Sequence, residues 1–179
     1  MRMIRFERVQ LLNTTIDTAW EFISHPANLT LITPPDLDFT LAFSLPERMH
    51  PGTIAAYRVA PFRWLCFKWI AEITQVIPPH MFIDEQRFGP YRFWHHQHHF
   101  KQLDGGVEMR DIVHYMLPCD PFSRPLSGMV ARRLAYIFDY RHDALEKHFG
   151  TPLHDQNDVK GDSSNPAGKD GQCVREKLS

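Results

Sequence analysis

The chain has 179 residues, 43% hydrophobic and 12% aromatic, enough for one domain with a real core and a modest extension. Lys and Arg total 20 against 21 Asp and Glu, and the basic residues are scattered, so no nucleic-acid partner is expected. Cys66, Cys119 and Cys173 are too few and too widely spaced for a disulfide framework or a paired-cysteine zinc site, which favours reduced thiols in a cytoplasmic protein.

The opening Met1-Arg2-Met3-Ile4-Arg5 puts charges where a secretory leader needs apolar residues. No apolar run approaches the roughly 18 residues of a membrane span, so no membrane insertion is expected. Residues 3–13 mix apolar and charged positions as a strand does, with Phe6, Val9 and Leu11 as expected core contacts. Thr15 is placed to cap a short helix in which Ile16, Ala19, Trp20 and Ile23 fall at helical spacing. His25-Pro26 ends it, because proline disfavours α geometry in the residue before it. A second short helical turn is expected over residues 27–31.

Strand patterns then follow over residues 38–45, 53–60, 65–77, 81–88, 91–102 and 107–117. The separators Pro51-Gly52, Pro61, Pro78-Pro79, Gly89-Pro90 and Asp104-Gly105-Gly106 are turn-like, and such short links imply an antiparallel meander. After Pro118 the period lengthens to that of a helix. Leu126, Val130, Leu134, Ile137, Arg141 and Leu145, with Phe138 and Phe149, describe one long amphipathic helix stopped at Gly150-Thr151-Pro152. Residues 152–179 are polar and glycine-rich, so a disordered tail is expected behind a domain spanning 1–151.

The order of elements predicts an α+β fold in which a curved antiparallel sheet wraps around a long C-terminal helix, with two short helices after the first strand. A gap between such a sheet and its helix is a natural cavity for a small molecule.

Residues 82–100 are the most distinctive stretch. Two aromatic-rich runs flank Gly89-Pro90, and the second carries four histidines in five positions. Side chains alternate faces on a strand, so Trp94, His96, His98 and Phe100 share one side, and Phe93, His95, Gln97 and His99 the other. A turn at Asp104-Gly105 sets His98 opposite Asp111, His96 opposite Val113 and Trp94 opposite Tyr115. That face is predicted to point inward. On the preceding strand, a four-residue loop would turn Glu85 inward, whereas a three-residue loop would bring in Asp84 and Gln86. Both parities are open.

Several of these pieces carry a resemblance: Ile32-Thr33-Pro34-Pro35, Pro51-Gly52 with Tyr57, Trp69, and Phe82-Ile83-Asp84-Glu85-Gln86. Gly89-Pro90-Tyr91, Trp94 with His96, His98 and Phe100, then Asp111, Val113, Tyr115 and Ile137-Phe138-Asp139-Tyr140-Arg141 complete it. Over roughly residues 5–150 the chain resembles the START-like (SRPBCC) superfamily, the helix-grip fold of polyketide cyclases/dehydrases and lipid-transfer domains. Within it, the resemblance is to a bacterial branch of uncharacterised ligand-binding proteins. The resemblance implies a cavity for a hydrophobic ligand. It implies no single reaction, since one fold hosts many functions.

The expected ligand-binding set is Trp69, Glu85, Gln86, Trp94, His96, His98, Asp111, Tyr115 and Arg141. His98 and Asp111 either satisfy each other in the core, orient a bound ligand, or work as an acid/base pair in a cyclase or dehydratase together with Glu85. As metal ligands, His96 and His98 lack an evident third partner, and neither metal nor cofactor is expected. Arg141 either meets an inward carboxylate or snorkels at the edge of the helix stripe. No nucleophile elbow, phosphate loop or dinucleotide fingerprint is present.

Overall fold

A curved antiparallel sheet carries one long helix across its inner face. The computed structural model describes residues 2–43, 45–62, 65–119 and 122–151. The expected tail over 152–179 lies outside the described residues. The strands are β1 (Ile4–Leu12), β2 (Thr40–Leu41), β3 (Ile54–Phe62), β4 (Leu65–Ile77), β5 (Met81–Phe88), β6 (Phe93–Leu103) and β7 (Gly106–Met116). Their spatial order is β1-β7-β6-β5-β4-β3-β2, a meander from β2 to β7 that β1 extends beside β7.

The helices are α1 (Ile16–Ile23) and α2 (Ser127–Phe149). Thr15 caps α1, its hydroxyl accepting from the Thr18 amide, and Ala19, Trp20 and Ile23 form the buried face. The second short helix is a 3-10 turn, Pro26–Thr30. No helix among the described residues is long and apolar enough to cross a membrane.

Three local expectations need correction. The strand expected over 38–45 shrinks to Thr40–Leu41, because Pro35–Leu37 forms a 3-10 turn and Asp38 sits in the left-handed region at φ 47°. Proline at a turn start and aspartate at a left-handed position both favour that geometry. On β1, Phe6 lies opposite Val113 and Arg8 opposite Asp111, so the inner face runs through the even-numbered residues. Leu12 is therefore buried at 1% exposure and Val9 stands 47% exposed, against the expected Val9 and Leu11 contacts. Leu126 precedes α2 in a 3-10 turn, half exposed, and does not begin the buried stripe.

The β6–β7 hairpin has the predicted register, with Leu103 opposite Gly106 and His98 opposite Asp111. Gly105 turns at φ 92°, and a Cβ on Gly106 would collide with the Leu12 carbonyl of β1, so the tip needs both glycines. Irregularities in β4 against β5, at Ile70/Ala71 and Ile73/Gln75, mark where the sheet bends.

The core is in two parts. One gathers Leu12, Ala19, Trp20, Phe82, Phe100, Met109 and Leu145; the other gathers Trp94, Val113, Tyr115, Leu134 and Phe138. Helix α2 contributes Leu134 and Phe138 to one and Leu145 to the other, all buried. Each such side chain stabilises by about 1.5–3 kcal/mol when fully buried. The exposed ion pair between Arg8 of β1 and Asp139 of α2 (2.6 Å) contributes at most about 1 kcal/mol, so the apolar stripe holds α2 in place.

Candidate functional site

Between the two parts of the core, each of three elements places a polar side chain where an apolar one would continue the layer. On β6, His96 and His98 sit between Trp94 and Phe100; on β7, Asp111 sits between Val113 and Met109; on α2, Arg141 sits between Phe138 and Leu145. His96, His98 and Asp111 are buried. Asp84 of β5 joins them, because it lies opposite His96.

That last pairing decides the parity left open by the sequence. Met81 faces His99 and Glu85 faces His95, which leaves a three-residue loop at Gly89-Pro90-Tyr91. The carboxamide of Gln86 ties the loop, donating to the Tyr91 carbonyl (2.6 Å) and accepting from the Tyr91 amide (3.2 Å). It lies where a Cβ on Gly89 would be, so the loop needs glycine there. Glu85 is thereby turned to the outer face, where it meets His95 (2.9 Å) and Arg87 (3.1 Å). Its candidacy for ligand contact or acid/base work does not fit this placement. Gln86 is engaged with the turn and is not part of the cavity wall.

The four inner groups are mutually linked. Asp84 Oδ1 lies 3.0 Å from His98 Nε2 and 3.2 Å from His96 Nδ1. Asp111 Oδ1 lies 3.0 Å from His96 Nε2 and 2.8 Å from His98 Nδ1. The 2.8 Å contact is not aligned as a hydrogen bond, and His98 Nδ1 has no hydrogen-bond partner; we read that contact as electrostatic. The expected His98–Asp111 pair is thus a foursome in which the well-aligned bonds are His96–Asp111 and His98–Asp84. Trp94 Nε1 donates to the second oxygen of Asp84 (3.2 Å). Arg141 reaches Asp111 Oδ1 at 3.7 Å with its guanidinium over the Phe138 ring, which favours the carboxylate-pairing alternative over snorkelling.

Burial works against charge here, and proximity outweighs it. Asp84 and Asp111 would be raised by desolvation, yet the two imidazoles hold both well below the usual carboxylate range. Burial depresses the His96 imidazole, but the two carboxylates override it and raise its pKa. Burial likewise pushes the Tyr57 and Tyr91 hydroxyls up, so both stay protonated.

The cluster forms part of the wall of a cavity of about 420 Å³ between the sheet and α2. Asp84, His96, His98 and Arg141 line it, with Trp69, Trp94, Tyr57, Tyr91 and Phe138 among its aromatic walls. Trp69 packs against Tyr57, Tyr91 and Trp94, at ring separations of 5.9, 5.6 and 5.1 Å. Tyr115 is fully buried beneath the wall, beside Tyr91 and Trp94. Asp111 and Arg141 also line a second pocket, of about 330 Å³, at the β1–α2 seam. Of the predicted set, the structure brings Trp69, Trp94, His96, His98 and Arg141 to the cavity, keeps Asp111 and Tyr115 just behind it, and turns Glu85 away. Asp84 is the cluster member that parity alone could not assign.

The curved antiparallel sheet laid around a long C-terminal helix is a helix-grip fold, shared with solved structures of low sequence identity. No family model matches the sequence, and no curated protein matches it. Similar solved structures include the Zhui aromatase/cyclase from Streptomyces sp. R1128, with TM-score 0.66 and 11% identity over 82% of this chain and 93% of that one. Ara h 8.0201 gives TM-score 0.58 and 13% identity over 82% and 99%. TTHA0849 from Thermus thermophilus gives TM-score 0.60 and 14% identity over 82% and 95%.

Proposed function

We propose that the protein binds an apolar or aromatic small molecule in the cavity between the sheet and α2. The polar end of the ligand is taken by Asp84, His96 and His98. The carrying observation is a cavity walled by Tyr57, Trp69, Tyr91 and Trp94 into which this one buried polar cluster opens. Apolar walls with few convergent polar groups are the usual composition of a small-molecule site. The aromatic walls supply burial and the cluster supplies orientation.

An aromatic fluorescent probe tests this directly. Wild type is expected to bind it, Trp69→Ala to weaken binding at least about tenfold through lost burial, and the His95→Gln/His99→Gln double variant to bind unchanged. Equal weakening by the outer-face double variant would overturn the placement. Native mass spectrometry of the purified protein identifies a co-purified ligand.

A second reading, a cyclase or dehydratase, is favoured by the carboxylate-linked imidazoles on the cavity wall, since His96 is held toward its charged form beside an ionised acceptor. In this reading Asp84 stands where Glu85 was expected. The two readings separate by mass analysis of the ligand before and after incubation with wild type and Asp84→Asn. A product formed by wild type alone establishes turnover, and an unchanged ligand retained by both establishes binding.

A further inference from the structure

We infer that Asp84, His96 and His98 form a binding site for a divalent first-row transition-metal ion, with Asp111 orienting both imidazoles from behind. The inference deepens the role of the polar cluster, but its test needs no organic ligand, so it and the ligand-binding reading fail separately.

The supply of hydrogens is the first ground. All four imidazole nitrogens lie 2.8–3.2 Å from a carboxylate oxygen. A carboxylate only accepts, so every contact needs an N–H to be attractive. Two neutral imidazoles carry two hydrogens for four contacts. Supplying four makes both rings cations, with centroids 3.8 Å apart, in a buried layer beside Arg141. Supplying two leaves two nitrogen lone pairs facing carboxylate oxygens, and both states carry a penalty for buried, unmatched charge.

A dication removes the conflict. Let both N–H groups, His96 Nε2–H and His98 Nδ1–H, point to Asp111. The lone pairs of His96 Nδ1 and His98 Nε2 then converge with Asp84 Oδ1. Asp84, His96 and His98 each offer a donor atom within 4.8 Å of the other two, and the distances from Asp84 Oδ1 to these two nitrogens are 3.2 and 3.0 Å. Metal–nitrogen and metal–oxygen bonds of about 2.0–2.2 Å, at angles near 90–110°, give ligand separations of roughly 3.0–3.4 Å. A carboxylate bonded to the far nitrogen of each ligating histidine is the common means of setting tautomer and ring direction, and Asp111 is positioned for both rings at once. The orphaned, buried His98 Nδ1 is a second observation. In the observed rotamers it lacks an aligned partner, and a small rotation on metal binding gives it Asp111.

Two imidazoles and one carboxylate suit zinc, cobalt, nickel or iron(II) in preference to calcium or magnesium. The three protein ligands come from adjacent strands, and Asp84, His96 and His98 all line the main cavity. The remaining coordination positions therefore face the space where a ligand oxygen would lie.

The test uses the full chain without a purification tag, stripped with a chelator and titrated with Zn²⁺ and separately with Co²⁺. Binding of one equivalent is expected, with visible d–d absorption from Co²⁺. Asp84→Asn and His98→Gln should each abolish stoichiometric binding. Asp111→Asn should weaken it by about 10–100-fold, the range for an outer-shell partner. His95→Gln/His99→Gln should leave it unchanged. Near-ultraviolet circular dichroism of each variant checks that the fold is kept. Should a histidine variant unfold, the near-isosteric Asp84→Asn and the wild-type stoichiometry still decide. Wild type that takes up no stoichiometric Zn²⁺ at micromolar concentration overturns the inference. So does uptake that survives in a folded Asp84→Asn variant.

Discussion

Asp111 bonds the His96 imidazole and stands in electrostatic contact with His98 and Arg141, so its truncation shows most directly whether the cluster is bound together as described. Asp111→Ala removes the carboxylate within reach of Arg141 Nη1 (3.7 Å) and the partner of His96 Nε2 (3.0 Å) and His98 Nδ1 (2.8 Å). Loss of one neutral hydrogen bond would cost about 1 kcal/mol. The expected cost is larger, about 3–5 kcal/mol, because a buried positive charge is left without its counter-charge. For a domain of this size that lowers Tm by roughly 6–20 °C. The assay is urea unfolding of chelator-treated protein, followed by far-ultraviolet circular dichroism, with an unchanged m-value confirming that only stability moved. A compensated variant completes it: Asp84→Asn, His96→Leu, His98→Leu, Asp111→Leu and Arg141→Met together should recover at least half the loss, since replacing a whole buried ion group by uncharged residues is often neutral or better. The His98/Asp111 double change alone should recover little, because it leaves His96 Nε2 and Arg141 without their carboxylate. A cost below about 1 kcal/mol for Asp111→Ala, or a compensated variant less stable than the single one, would refute the reasoning.

Trp94→Ala should destabilise by about 3–5 kcal/mol and release the Asp84 oxygen that its indole N–H holds (3.2 Å); calorimetry measures the first and probe affinity the second. His95→Gln/His99→Gln, confined to the outer face, should change stability by about 0.5 kcal/mol or less in urea titration, and a core-sized loss would mean the faces are exchanged. In metal-free protein, stability should be greatest between about pH 4 and 6.5. The raised pKa of His96 contributes stability that is fully present below about 6.5 and lost as pH rises through the folded value. The depressed pKa values of Asp84 and Asp111 contribute stability that is present above about 3.9 and lost as pH falls through theirs. Tm across pH checks this, and a monotonic rise from about pH 5 to 8 in the presence of chelator would contradict it.

The two hairpins explain why one half of the site was legible in the sequence and the other half was not. Asp104-Gly105 admits only a two-residue turn between obvious strands, so the β6–β7 register and the inward face of His96, His98 and Asp111 followed from counting. Gly89-Pro90 admits three or four loop residues. The choice rests on the Gln86 carboxamide bonding the Tyr91 backbone, a side-chain contact with no periodic signature. Arg141 was legible as an oddity on an apolar stripe, since the 3.6-residue period is independent of rotamer. Which histidine bonds which aspartate was not, because ring rotation decides it after the strands are paired.

A continuous apolar layer across β6, β7 and α2 would be at least as stable as the present one, since buried ion groups seldom outperform packed hydrocarbon. The cluster is therefore better explained by what it presents to the cavity than by what it contributes to folding. Asp84 faces the cavity at 17% exposure, while Asp111 stands at 6% against the seam pocket on the opposite side. The two imidazoles touch both carboxylates, so any cation, proton donor or metal that engages Asp84 changes which ring nitrogens remain free to bond Asp111. Arg141 lines both cavities and reaches Asp111. The cluster thus stands between the two cavities, with Asp84 on the wall of one, Asp111 on the wall of the other and Arg141 on both.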